Sequence, residues 1–168
     1  KPENIANDII FVGDQDRVAK ITSHFETIDF STQKREFKTQ TGTYKGRRIT
    51  VMSTGIGPDN IDIVMNELDA LVNIDLETRL PKQELTSLNI IRVGTSGSLH
   101  EDIPVDSIVM SAYGLGLDNM LRSYNIDQVT DSAAEEAFIN HTNWDIRKGK
   151  PYVCLLYTSD AADEGLGV

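Results

Sequence analysis

The chain has 168 residues, 39% of them hydrophobic, and a formal net charge of −10. That is one domain's worth of chain with enough apolar side chains for a single core, and its apolar runs, such as residues 9–12, fall far short of the roughly 20 residues a membrane span needs. The acidic balance, without any basic stripe interleaved with aromatics, argues against a nucleic-acid partner; an anionic small ligand would need a local cluster of arginines working against the overall field.

Asp8–Val12 is a short apolar run closed by Gly13, which predicts a buried strand. Asp16 is placed to cap a helix running to about residue 24, with Val18 and Ile21 facing the core. Residues 37–44 and 48–53 are rich in β-formers and joined by Lys45-Gly46-Arg47, a hairpin signal. Residues 59–72 give the clearest helix, with Ile61, Val64, Met65, Leu68, Leu71 and Val72 on one face. Residues 74–88 are polar, contain Pro81 and read as loop or a short helix. A second buried strand is expected over 88–93 and a third over 106–112. A helix is expected over 132–143, with Ala133, Ala137 and Phe138 available to pack. Glu135 and Glu136 read as a solvated face of that helix. Alternating strands and helices predict a layered α/β domain, and the hairpin predicts a mixed sheet.

Cys154 is the single cysteine, which excludes an intrachain disulfide and a cysteine metal cluster. With no charged-then-apolar leader, a cytoplasmic setting is expected. Lys1-Pro2-Glu3 does not read as a natural start, so residues are expected to precede it. The run from Cys154 to Glu164 resembles translated sequencing-adapter DNA. The expectation is therefore that residues 1–153 are the N-terminal part of a single domain and that 154–168 are a non-native tail; the alternative is a natural, mobile C-terminus.

Three glycine turns follow predicted strands. Gly13-Asp14-Gln15-Asp16-Arg17 opens a helix, where backbone N–H groups and the helix dipole favour anions and Arg17 is placed to grip a phosphate. Taken alone, a capped turn with a surface arginine is the better reading of this segment. Arg92 stands inside an apolar strand that ends in Gly94-Thr95-Ser96-Gly97. A charge there is expensive unless it serves a ligand at the strand's C-terminal end, and that reading is favoured over an edge strand with its arginine in solvent. Ser53-Thr54-Gly55-Ile56-Gly57 lacks the third glycine of a dinucleotide fingerprint and has Asn60 in its place. Gly94 to Ser98 lacks the last glycine of a hydrolase nucleophile elbow. His24, His100 and His141 show no metal spacing.

Taken in order and at their spacing, these segments resemble the nucleoside phosphorylase superfamily, most of all uridine phosphorylase. They are Val12-Gly13-Asp14-x-Asp16-Arg17-Val18, Arg35-Glu36-Phe37, Thr41-Gly42-x-Tyr44-x-Gly46, Ser53-Thr54-Gly55-Ile56-Gly57 and Ile91 through Leu99. The resemblance covers roughly the first 110 residues. It implies a three-layer αβα fold with a mixed central sheet, of the phosphorylase/hydrolase-like kind and incomplete here. It implies phosphorolysis of a nucleoside, uridine first, to free base and ribose 1-phosphate, with inorganic phosphate as co-substrate and no cofactor. By position it makes Gly13, Arg17, Arg35, Arg92 and Thr95 the phosphate ligands, with Arg17, Arg35 and Arg92 carrying the catalysis. Arg35 would be lent to a neighbouring subunit, in a dimer that usually assembles further to a hexamer. Thr95 would also touch the ribose, and Ser96 and Gly97 would begin the base pocket. In some members a monovalent cation sits against the counterparts of Glu36 and the Ile56 carbonyl, with a serine close by; here that stretch reads Asp59-Asn60.

By the same resemblance a ribose-binding histidine lies upstream of Lys1 and the base-reading residues lie downstream of Cys154, so these 168 residues alone are expected to be inactive. The rival readings are a purine nucleoside phosphorylase, a nucleosidase of the same fold that uses water, and a non-catalytic phosphate-binding remnant.

Overall fold

The central sheet grows outward from β1 (Asp8–Val12), whose alternation sends Ile9 and Phe11 to one face and Ile10 and Val12 to the other. It is seen in a computed structural model that describes residues 1–155 and divides the chain into two compact units, Lys1–Gly97 and a second beginning at Ser98.

In the first unit, β1 lies between two parallel neighbours, β4 (Arg47–Ser53) and β7 (Asn89–Arg92). β2 (Thr27–Lys34), β3 (Phe37–Tyr44) and β4 form an antiparallel meander, giving a five-stranded mixed sheet in the order β2-β3-β4-β1-β7. α1 (Gln15–Thr22) covers one face through Val18 and Ile21, which meet Val12 and Val51. α2 (Pro58–Asn73) covers the other through Val64, Leu68 and Val72, which meet Ile9, Phe11 and Met52. The result is the expected three-layer arrangement. Each such buried Val or Leu contributes about 1.5–3 kcal/mol of burial energy.

Five details of the secondary structure differ from the sequence expectations. The N-cap of α1 is Asp14 rather than Asp16, its carboxylate accepting from the Asp16 N–H at 2.7 Å. β2 went unforeseen because its residues are mostly polar and exposed, and its apolar alternation is limited to Ile28 and Phe30. Residues 74–88 hold a small hairpin of β5 (Ile74–Asp75) and β6 (Leu80–Pro81), closed by the Asp75 carboxylate, which accepts from the Glu77 and Thr78 N–H groups at 2.9 and 3.2 Å. β7 is an edge strand rather than a buried one, with Ile91 66% exposed. No strand forms over 106–112; Val105, Ile108 and Met110 are exposed there, and no described strand offers their backbone a partner.

The second unit pairs β8 (Tyr113–Gly116) antiparallel with β9 (Tyr152–Leu155) and packs α3 (Ser132–Thr142) beside β9. Asp131 caps α3, accepting from the Ala134 N–H at 3.0 Å. Glu135 is not on a solvated face: it is 1% exposed, and its carboxylate pairs with Arg122 at 2.8 Å and Lys150 at 2.9 Å. Burial alone would raise its pKa, but Lys150 and Arg122 outweigh burial and hold it below the ordinary carboxylate range. Ala133 and Ala137 are exposed, while Phe138 packs on Trp144. The Tyr152 hydroxyl donates to Asp118 at 2.8 Å; burial and that carboxylate push its pKa up to about 12. Cys154 pairs with Gly114 within β9, and burial raises its thiol pKa. Leu155 pairs with Tyr113 in the same strand, and residues 156–168 of the segment expected to be a non-native tail lie outside the described residues.

Candidate anion-binding site

The C-terminal ends of β1, β4 and β7 come together, and each is followed by a glycine close by: Gly13, Gly55 and Gly94. The loops stay in register because the Thr54 N–H donates to the Val12 carbonyl at 2.9 Å and the Val93 N–H donates to the Phe11 carbonyl at 2.8 Å. Between them lies an open cleft of about 800 Å³. Clefts at this end of parallel strands are where open α/β sheets bind ligands.

Gly13 lies beside the Arg92 guanidinium: a Cβ there would make only ordinary contacts, 3.9 Å from Arg92 Nη2 and from the Gly55 carbonyl oxygen. Gly55 has φ +73°, and a Cβ on it would meet Asn60 Nδ2 at 2.7 Å and Glu36 Cγ at 2.8 Å. Only glycine fits there, on grounds of both conformation and space. Arg17 extends from the first turn of α1 and donates to Thr95 Oγ1 at 3.4 Å. Arg17, Arg92, Gly13 and Thr95 thus share one wall. Arg92 does lie on an edge strand and is exposed, and its guanidinium lies beside Gly13 and Gly94 at the edge of the cleft.

The wall also holds Asp14, Asp16 and Glu36. Two arginines and three acidic residues therefore line the cleft, so a phosphate dianion bound here calls for a further cation. Arg35 is not in the wall. It occupies the turn between β2 and β3 at φ +55°, and it is the next residue, Glu36, that enters the cleft. Ser96 and Gly97 also lie outside the wall and are exposed.

Glu36 and Ile56 do line the cleft, but the Ile56 carbonyl already accepts a hydrogen bond from Asn60 Nδ2 at 3.1 Å. An amide proton thus lies on the oxygen that the resemblance would give to a monovalent cation, and the hydroxyl ligand is absent. That oxygen keeps its second lone pair, so the set offered to a cation here is one carbonyl lone pair and the Glu36 carboxylate, without a hydroxyl.

Three contributors were missed in the sequence. Gln15 and Asn60 line the cleft. Ser53, fully buried, donates to the Glu36 carbonyl at 2.6 Å and accepts from the Lys38 N–H at 2.8 Å. The only available signal was position: Gln15 and Asn60 sit within or just after the glycine turns, and Ser53 ends β4.

The architecture and the cleft define an α/β domain with glycine turns and two arginines gathered at the C-terminal ends of its parallel strands. The model of the phosphorylase superfamily matches residues 8–143, and the chain belongs to that family. It is 34% identical over 137 residues to the purine nucleoside phosphorylase DeoD-type of Streptococcus suis, covering 78% of this chain and 52% of that protein. It is 32% identical over 124 residues to the uridine phosphorylase of Thermococcus kodakarensis, covering 74% and 40% respectively. Among solved structures, a Trypanosoma brucei nucleoside phosphorylase described as showing uridine phosphorylase activity matches with a TM-score of 0.81 and 31% identity, over 100% of this chain and 60% of that one. The chain spans about half the length of the curated relatives it matches.

Proposed function

We propose that the full-length protein cleaves a nucleoside by phosphorolysis, with the cleft holding inorganic phosphate. The observation that carries this reading is the convergence of Arg17, Arg92 and Thr95 on the glycine turns after β1 and β7. The backbone N–H groups at the start of α1 and the two guanidinium groups hold the phosphate oxygens. A phosphate oxygen attacks C1′ of the ribose. The bond from C1′ to the base nitrogen breaks, its electron pair leaves with the base, and ribose 1-phosphate forms.

Positive charge builds on the ribose as that bond lengthens, and the adjacent phosphate stabilises it electrostatically. Thr95 touches the ribose, and Ser96 and Gly97 begin the base pocket. Arg35 supplies the missing cation to the cleft of a second copy, which makes a dimer the smallest complete unit. By themselves the 168 residues do not turn substrate over.

Uridine is the proposed nucleoside because the trypanosomal protein that matches the whole chain is described with that activity. The purine reading rests on the streptococcal relative. A same-fold nucleosidase is disfavoured because water needs no pair of arginines to hold it. The test is base release from uridine and from inosine by the full-length protein, with and without phosphate. Uridine cleavage that requires phosphate supports the reading, inosine preference favours the purine alternative, and cleavage indifferent to phosphate defeats phosphorolysis.

A further inference from the structure

Gln15 is the first residue of α1 and lines the cleft, yet its amide is occupied elsewhere. Its Nε2 donates to the carbonyl of Arg35, and its Oε1 accepts from Gln33 Nε2 at 2.8 Å. Arg35 has φ +55°, a conformation that a residue other than glycine keeps only when its surroundings hold it there. The next carbonyl, that of Glu36, is held by Ser53 Oγ at 2.6 Å. Two successive carbonyls of one turn are thus pinned by two side chains of the cleft region, one from the anion loop and one from the end of β4. Gln33, on the strand entering the turn, orients the Gln15 amide so that its N–H faces Arg35.

We infer that Gln15 is a positioning residue that sets where the Arg35–Glu36 turn stands relative to the loop bearing Gly13 and Arg17. The inference rests on the reading that the cleft binds phosphate. It gives Gln15 a defined route of action: through the Arg35 carbonyl to the direction of the Arg35 guanidinium, and so to phosphate affinity rather than to the chemical step. The amide is well suited to the role. It needs one donor and one acceptor, and a leucine of similar bulk supplies neither.

The experiment is steady-state phosphorolysis by the full-length protein as parent, Q15L, Q33L, R35A and the Q15L/R35A double variant, with melting temperatures measured alongside. In Q15L the phosphate KM rises about three- to tenfold, the range expected for losing one neutral hydrogen bond. The nucleoside KM and kcat stay within about twofold, and the melting temperature hardly moves, because the bonds lost are exposed. Q33L gives a smaller rise in the same constant. In the R35A background Q15L adds no further rise, because its route runs through Arg35. A phosphate-dependent parent whose phosphate KM is unchanged in both Q15L and Q33L overturns this inference alone. So does a Q15L effect that adds in full to R35A. A parent whose nucleoside cleavage ignores phosphate overturns the underlying reading, and this inference with it.

Discussion

Arg17 Nη2 lies 3.4 Å from Thr95 Oγ1, which brings the first turn of α1 against the loop after β7 across 78 positions of sequence. The contact is long and exposed, so it adds little to stability. Its meaning is geometric: two donors from distant segments point into one cleft. Arg17→Ala and Arg92→Ala are each expected to weaken phosphate binding by about 1.5–3 kcal/mol, the usual worth of a hydrogen bond to a charged group. Titration calorimetry with inorganic phosphate in low-salt buffer checks this. Arg→Lys at either position recovers only part of the loss, because lysine cannot make the bidentate contact.

Gly13 and Gly55 make a contrasting pair. Gly55→Ala forces a Cβ into a left-handed residue 2.7 Å from Asn60 Nδ2. The conformation alone costs about 1–2 kcal/mol, which in a domain of this size lowers the melting temperature by roughly 2–4 °C per kcal/mol. Gly13→Ala meets only ordinary contacts at 3.9 Å and leaves the melting temperature nearly unchanged. Its methyl group projects into the cleft, and phosphate affinity falls because the methyl takes space through which an anion approaches the loop N–H groups. Thermal melting and phosphate titration on the two variants separate the effects.

Asn60 bears on cation dependence. Its Nδ2 donates to the Ile56 carbonyl at 3.1 Å. Melting temperature and phosphate affinity are therefore expected to be equal in potassium chloride and in tetramethylammonium chloride at the same ionic strength. Asn60→Ser removes the amide, supplies a hydroxyl and is expected to raise the melting temperature in potassium specifically. A potassium-specific rise in the unaltered protein would contradict the assignment.

Glu135 makes the second unit sensitive to acid. Its pKa is depressed in the folded state, so its ion pairs stabilise the unit above the ordinary carboxylate pKa, and that contribution is lost as pH falls through the lowered value. Glu135→Gln removes the charge opposite Arg122, which keeps its bond to the Pro151 carbonyl, and costs about 3 kcal/mol, the low end for a broken buried pair, because Lys150 reaches solvent. The single tryptophan, Trp144, donates to the Gly149 carbonyl at 2.8 Å, next to Lys150. Its fluorescence during acid titration reports the transition, and the Gln variant is expected to show it at neutral pH.

Much of the first unit was legible in the sequence because its signals are local. The apolar run of Asp8–Val12, the periodic face of α2 and the Lys45-Gly46-Arg47 turn each name their own structure. What escaped depends on partners far along the chain. β2 is polar and is a strand only because β3 pairs with it. Glu135 looks like a surface residue until Arg122 and Lys150 are brought to it. In the cleft, Gly13, Arg17, Arg92 and Thr95 were readable from glycine turns at strand ends. Gln15, Ser53 and Asn60 were not, because each acts through a backbone carbonyl of another residue, and no residue type announces that.

The account stands most directly on the identity of the sugar product. Phosphorus-31 NMR of the full-length protein with uridine and inorganic phosphate follows it in one tube. The prediction is a ribose 1-phosphate resonance growing at the expense of inorganic phosphate, in step with released uracil. Uracil and free ribose, with the phosphate signal unchanged, would show that water is the nucleophile and that Arg17 and Arg92 do not hold the attacking group.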